Sequence, residues 1–186
     1  MAFIPPWQTG AVYGAHMALP VKGEVAGVLI MRAKNPLLVI GHEAQNTKVG
    51  KQGYLDFLAK LAKACNLPVI TTANLAKELR ARKLKQVYSM SALELLNNLH
   101  SLGWSINNLG QHDLVIFAGL PYQLQMQMLS SIRHFAKGTK TMTIDRYFYV
   151  NADYSFPNLS EDSWQLALSS LLSSVEEFRR KMRVGT

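Results

Sequence analysis

The chain has one cysteine in 186 residues. Cys65 has no partner for an internal disulfide, and no Cys-x-x-Cys pair is present to hold zinc or an iron–sulfur cluster. A reducing, cytoplasmic setting is therefore expected, with no metal on this chain. Long apolar runs are missing as well. No stretch of about eighteen apolar residues occurs, and the first residues lack the basic start and hydrophobic stretch of a signal peptide, so a soluble, non-exported protein without a membrane partner is expected. Acidic residues are scarce: twelve Asp and Glu stand against twenty Lys and Arg, for a formal net charge of +8. That excess favours acidic partners of any kind and selects none. Neither G-x-G-x-x-G nor the P-loop pattern is present, and none of His16, His42, His100, His112 and His134 has metal-ligand spacing such as H-E-x-x-H.

What is present is material for a core. Hydrophobic residues make up 48% of the chain and charged residues only 17%, enough for one packed domain and far from the composition of a disordered chain. Residues 1–19, with Pro5, Pro6, Gly10, Gly14, Phe3, Trp7 and Tyr13, show neither helical nor strand periodicity and read as an extended amino-terminal arm. Residues 20–186 read as a single α/β domain.

Five short apolar runs bounded by turn residues predict buried strands at 36–40, 68–72, 86–90, 114–118 and 140–144. Helical stripes separate them. The first follows Pro20, with Val21, Val25, Val28, Leu29 and Arg32. The next carries Tyr54, Leu58, Leu61, Ala62 and Cys65 and stops at Asn66, and a short one holds Leu75 and Leu79. Ser91 caps a helix with Leu93, Leu96 and Leu99. Pro121 opens one with Leu124, Met128 and Ile132. Ser160 caps a last helix with Trp164, Leu168, Leu171, Val175, Phe178 and Met182. Single helices between strands imply right-handed β-α-β units and a doubly wound, mostly parallel, Rossmann-like sheet. The five strands, numbered in chain order, are expected in spatial order 3-2-1-4-5.

Such sheets bind ligands beyond the carboxyl ends of the strands, where the strand order reverses. The residues there are Gly41, His42 and Glu43 after the first strand, Thr71 and Thr72 after the second, Gly119 and Leu120 after the fourth, and Asp145 after the fifth. They define a candidate nucleotide crevice for a flavin- or nicotinamide-binding enzyme, although glycines after buried strands commonly serve only to turn the chain. Lys77, Arg80, Arg82, Lys83 and Lys85 form the densest basic run. It could meet phosphates or an acidic protein surface, but it reads first as a solvated helix face. No aromatic platform is interleaved with these charges, which disfavours nucleic acid. Arg146, Tyr147, Phe148 and Tyr149 put three consecutive aromatics after a strand, more than one face can bury, so part of the cluster is expected to meet a partner together with Trp7.

The run from Ala33 to Gly41 (AKNPLLVIG), the stretch from Thr143 to Tyr147 (TIDRY), Asn151, and the segment from Ser155 to Ser160 (SFPNLS), with Pro6-Trp7-Gln8 and Gly103-Trp104, resemble the epsilon subunit of the archaeal acetyl-CoA decarbonylase/synthase complex. The likeness covers most of the chain. It implies a fold similar to the deoxyhypusine synthase-like NAD/FAD-binding domain. It also implies a partner, the large nickel–iron–sulfur alpha subunit of carbon monoxide dehydrogenase, in an assembly with two copies of each. For the small subunit it implies an accessory role without catalysis of its own, either stabilising the alpha subunit or assisting electron transfer to FAD. A flavin in this chain would lie at Gly41, His42, Glu43, Thr71, Thr72, Gly119, Leu120 and Asp145, without the second glycine a Rossmann site uses for close approach.

Overall fold

The computed structural model describes residues 17–72 and 74–184. In chain order the elements are β1 (Leu19–Pro20), α1 (Gly23–Arg32), β2 (Pro36–Ile40), α2 (Glu43–Asn46), β3 (Lys48–Val49), β4 (Gln52–Gly53), α3 (Tyr54–Cys65) and β5 (Val69–Thr71). They continue as α4 (Ala76–Ala81), β6 (Val87–Ser89), α5 (Ala92–His100), β7 (Leu114–Ala118), α6 (Tyr122–Phe135), β8 (Lys140–Thr143), β9 (Tyr154–Ser155) and α7 (Glu161–Val184). Seven strands form one sheet in the order β1-β9-β8-β7-β2-β5-β6, and every pairing in it is parallel. The run β6-β5-β2-β7-β8 is the expected order of the five anticipated strands, and β3 and β4 make a separate antiparallel hairpin.

Parallel strands covered on both faces must be apolar on both, and β2 and β7 satisfy this along their length. Leu38, Ile40, Ile116 and Ala118 pack into one core with α1, α3 and α7 through Ile30, Leu58, Trp164 and Leu171. Their neighbours Leu37, Val39, Val115 and Phe117 pack into the other, with Leu95 and Leu99 of α5 and Met128, Leu129 and Ile132 of α6. The alternation follows the two-residue period of a strand. Two layers of helices therefore close the sheet.

Two strands escaped the sequence because two residues carry no period. β1 and β9 extend the sheet beyond β8 and pair Leu19 with Tyr154 and Pro20 with Ser155. Pro20 thus lies in the edge strand, where a missing N–H is tolerated, and not in the first turn of a helix. Residues 17–19, drawn as the end of the arm, join the domain through Ala18 N–H to the Val150 carbonyl and Leu19 N–H to the Asp153 carbonyl, at 3.0 and 2.8 Å. The rest of the arm, with Trp7, lies outside the described residues.

α1 buries a face other than the expected one, and α5 and α6 keep most of theirs but depart at Leu93 and Leu124. α1 turns Gly23, Ala26, Gly27 and Ile30 inward and leaves Val25 exposed. The cause is α7: an added Cβ on Gly27 would lie 2.8 Å from the Leu171 carbonyl oxygen, so glycine permits a backbone-to-backbone approach that no valine stripe could match. α5 buries Leu95 and Leu99 and exposes Leu93, because two leucine stripes compete on one helix and the i,i+4 pair meets the sheet. α6 buries Gln125 and turns Leu124 outward. In α7, Trp164, Leu168, Leu171 and Val175 face inward as their spacing predicts, while Met182 is exposed.

At the opposite end of the sheet from the crevice, His112 is buried between two backbone groups. Its Nδ1 lies 2.9 Å from the Asn35 carbonyl oxygen, and its Nε2 accepts from the Ile106 N–H at 3.1 Å. One neutral tautomer satisfies both contacts, and burial holds the imidazole below its usual range. A histidine depressed in the folded state leaves the unfolded chain to bind the extra proton, so stability falls as pH drops below about 6.5. Urea unfolding of His112→Gln beside the parent is expected to show the parent's advantage shrinking between pH 7.5 and 5. A constant gap would mean that His112 titrates normally.

Candidate functional site

β2 and β7 are neighbours in register, Ile40 opposite Ala118, and the strand order reverses between them. Their exits interlock. Gly41 N–H donates to the Ala118 carbonyl at 2.9 Å, and Glu43 N–H donates to the Gly119 carbonyl at 2.9 Å. A Cβ on Gly41 would lie 2.6 Å from the Leu120 Cα, and one on Gly119 would lie 2.6 Å from the Ala44 Cβ. Gly119 also has φ +67°, a conformation side chains rarely adopt. The two glycines thus let the two turns touch each other. Leu120 is buried under the contact, Thr71 is buried, Thr72 is half-buried with its N–H on the Ile40 carbonyl, and His42 and Glu43 point to solvent.

Asp145 is the centre of this end of the molecule. It follows β8 and is 8% exposed. Its Oδ1 accepts from the Gly119 N–H at 2.9 Å and from the Tyr54 hydroxyl at 3.1 Å, and its Oδ2 accepts from Gln125 Nε2 at 3.1 Å. Burial pushes the carboxyl up to about 6, against the pull of these three donors. Tyr54 is fully buried and its phenol is raised by burial first and then by the Asp145 charge. The Trp164 indole closes the cluster, donating to the Ile144 carbonyl at 2.9 Å with its ring 4.8 Å edge-on from that of Tyr54. Gln125 Oε1 is buried without a partner. The carboxyl therefore ties β8, the β7 turn, α3 and α6 together.

The segment after Asp145 alternates outward and inward. Tyr147 faces out, 53% exposed, while Arg146 is half-buried with its Nε buried and unpaired: its guanidinium stands 5.2 Å from the Tyr147 ring centre and pairs with Glu161 at 2.8 Å. Phe148 and Tyr149 face in, 6% and 2% exposed, within the α5–α6 core. Backbone anchors hold the segment, Phe148 N–H on Asn158 Oδ1 at 2.8 Å and Tyr149 N–H on Ser155 Oγ at 3.0 Å. The Tyr122 hydroxyl adds a bond to the Phe148 carbonyl at 3.2 Å. The aromatic cluster thus divides into a buried root and an exposed tip.

The crevice residues do not suit a dinucleotide. The turns that would have to part around a pyrophosphate are in mutual contact, the buried carboxyl of Asp145 stands beneath them, and α2 is a four-residue helix whose first N–H is bonded to the Gly119 carbonyl. Among the described residues no three His, Cys, Asp or Glu side chains converge on a common metal position. Cys65 is half-buried and burial pushes its thiol up to about 12, the state of an inert packing residue. No helix among the described residues is long and apolar enough to cross a membrane.

Sequence spacing placed Tyr54 and Trp164 on core stripes without revealing that their polar tips meet at β8. Gln125 gave no signal, since a glutamine beside an apolar stripe looks solvent-facing.

The family described as CO dehydrogenase beta subunit/acetyl-CoA synthase epsilon subunit matches residues 1–172. Over 162 residues the chain is 38% identical to the acetyl-CoA decarbonylase/synthase complex subunit epsilon of Methanothermobacter thermautotrophicus, covering 87% of this chain and 90% of that one. It is 32% identical over 176 residues to the subunit epsilon of Methanothrix soehngenii, covering 92% and 91%. To the subunit epsilon 1 of Archaeoglobus fulgidus it is 37% identical over 150 residues, covering 78% and 77%. With the family matching residues 1–172 and relatives 32–38% identical over most of both chains, this chain belongs to the CO dehydrogenase beta subunit/acetyl-CoA synthase epsilon subunit family.

Proposed function

We propose that this chain is a non-catalytic subunit of an acetyl-CoA decarbonylase/synthase complex, where it holds and stabilises the large metal-cluster subunit of the carbon monoxide dehydrogenase component, two copies of each. The observation that carries this reading is the Arg146–Tyr147 pair, a half-buried guanidinium beside an exposed aromatic on a segment whose root is buried and bonded on both sides. Arg and Tyr are enriched among the residues that dominate binding energy, and a tip already fixed in place loses little entropy on docking. The lone, unreactive Cys65 and the separated histidines leave cluster chemistry to the partner.

Flavin has no part in this reading. A free-standing flavin or nicotinamide enzyme would need the Gly41–Gly119 crevice open, and the contact between the two turns argues against it. Purification of the native protein from its source tests the proposal. Co-elution with a large iron–sulfur subunit in equal amounts supports it, and a yellow protein eluting alone at the mass of one chain contradicts it.

A further inference from the structure

A groove of about 770 Å³ runs between α3 and α4, on a surface that neither Arg146 nor Tyr147 lines. Its cations are Lys51, Lys60, Lys63, Arg82 and Lys83. Arg82 is held in place by Asp56, Nε to Oδ1 at 2.6 Å, with Glu78 beside it. Among the described residues no ion pair engages Lys51, Lys60, Lys63 or Lys83. Lys60 Nζ instead donates to Gln52 Oε1 at 3.2 Å, which fixes the amide so that Gln52 Nε2 is buried with no acceptor. The groove is lined by five cations against the one carboxylate of Asp56, so its complement carries negative charge.

The form of that complement follows from three features. Lys60 and Lys63 sit one turn apart on α3, while Lys51 before α3 and Lys83 after α4 line the same groove, so four cations from three chain segments can take more than one anionic group. The amino end of α3, where a phosphate would settle, already has the Asp56 carboxylate in its first turn. No aromatic ring lines the groove to stack a base, while Ala59, Ala81 and the lysine stems supply apolar floor. We propose that this groove docks an acidic segment of a partner polypeptide, its carboxylates on Lys51, Lys60, Lys63 and Lys83.

The test is a fluorescence-anisotropy titration of the full chain with a labelled octaglutamate peptide. The Lys60→Glu/Lys63→Glu pair is compared with Lys22→Glu/Lys137→Glu, which lowers the net charge equally away from the groove. The groove pair is expected to weaken binding about tenfold or more and the control pair less than about threefold, since only local pairing distinguishes them. Thermal unfolding of each variant separates binding from folding, and Lys60→Gln/Lys63→Gln, which preserves helix propensity, must show the same direction. Equal weakening by both glutamate pairs would overturn the proposal, because net charge alone would then explain the binding. A thymidine octanucleotide or tripolyphosphate binding this groove about tenfold tighter than octaglutamate would also overturn it, in favour of a phosphate ligand.

Discussion

Asp145→Leu is expected to destabilise the chain by about 2–5 kcal/mol at neutral pH, because it strips acceptors from buried donors. The Gly119 N–H and the Gln125 amide lose the only acceptor they have among the described residues, while the Tyr54 hydroxyl keeps the Ile144 carbonyl at 3.2 Å. Relief of the buried charge offsets part of the loss. Asp145→Asn should behave differently. A flip of the Gln125 amide turns its partnerless Oε1 toward the new Nδ2, so the bond between the two side chains is kept and the number of unpaired atoms on Gln125 does not rise. The same arrangement describes a protonated Asp145, and asparagine therefore mimics the parent at low pH.

The pH dependence follows from the direction of the shift. The folded carboxyl is raised to about 6 from 3.8, so the native state holds its proton longer than the unfolded chain. The stability this contributes is fully present below about pH 4 and is lost as pH rises through about 6, a swing of about 3 kcal/mol for a shift of about two units. Asp145→Asn lacks that loss. Guanidinium unfolding should find it within about 1 kcal/mol of the parent at pH 4 and more stable by about 2 kcal/mol at pH 7. A difference independent of pH would mean that Asp145 ionises as an exposed carboxylate does. A residue whose charge lowers stability at working pH is also a candidate for function, since stability alone does not call for it.

The second large effect lies between α1 and α7. Alanine for glycine inside a helix ordinarily adds about 1 kcal/mol of helix propensity. Here the sign reverses. A Cβ on Gly23 would enter the Ala167 carbonyl oxygen and lie 3.0 Å from the Leu171 nitrogen, and one on Gly27 would lie 3.0 Å from the Ser174 Cβ. The obstacle is mostly backbone, which cannot rotate away, so the helices must separate and release the Ser174 hydroxyl from the Glu24 carbonyl, now bonded at 3.0 Å. Gly27→Ala is expected to cost about 1–3 kcal/mol and Gly23→Val about 3 kcal/mol or more. Thermal unfolding decides, and a raised melting temperature for Gly27→Ala would show that the helix pair is looser than described.

These two sites mark where the sequence was readable and where it was not. Continuous apolar runs such as Leu114 to Ala118 announce strands buried on both sides, and the helices between them force the parallel order, so the sheet from β6 to β8 could be drawn in advance. Helix faces were less legible. Gly23 and Gly27 have no side chains to register in an apolar stripe, yet their emptiness is what admits α7. Asp145 was marked by its position after a strand, but Gln125 and the hydroxyl of Tyr54 converge on it from elements 20 and 91 residues away, and no local period encodes such a meeting. In the 146–149 cluster, composition indicated that some aromatics must stay exposed. Only the anchoring of Phe148 and Tyr149 by Asn158 and Ser155 fixed which ones turn inward.

The central claim is that the exposed tip of this segment holds a larger subunit. Its most direct measurement is a titration of the purified chain into the metal-cluster subunit, comparing the parent with Tyr147→Ala and Arg146→Ala and confirming each variant's melting temperature alongside. Tyr147 is exposed, and the half-buried Arg146 contacts the Tyr147 ring and the exposed Glu161, so both variants should fold as the parent does. Each is predicted to weaken assembly by about 1–4 kcal/mol, the range of interface anchors. Normally folded variants that bind the large subunit at the parent's strength would contradict the account.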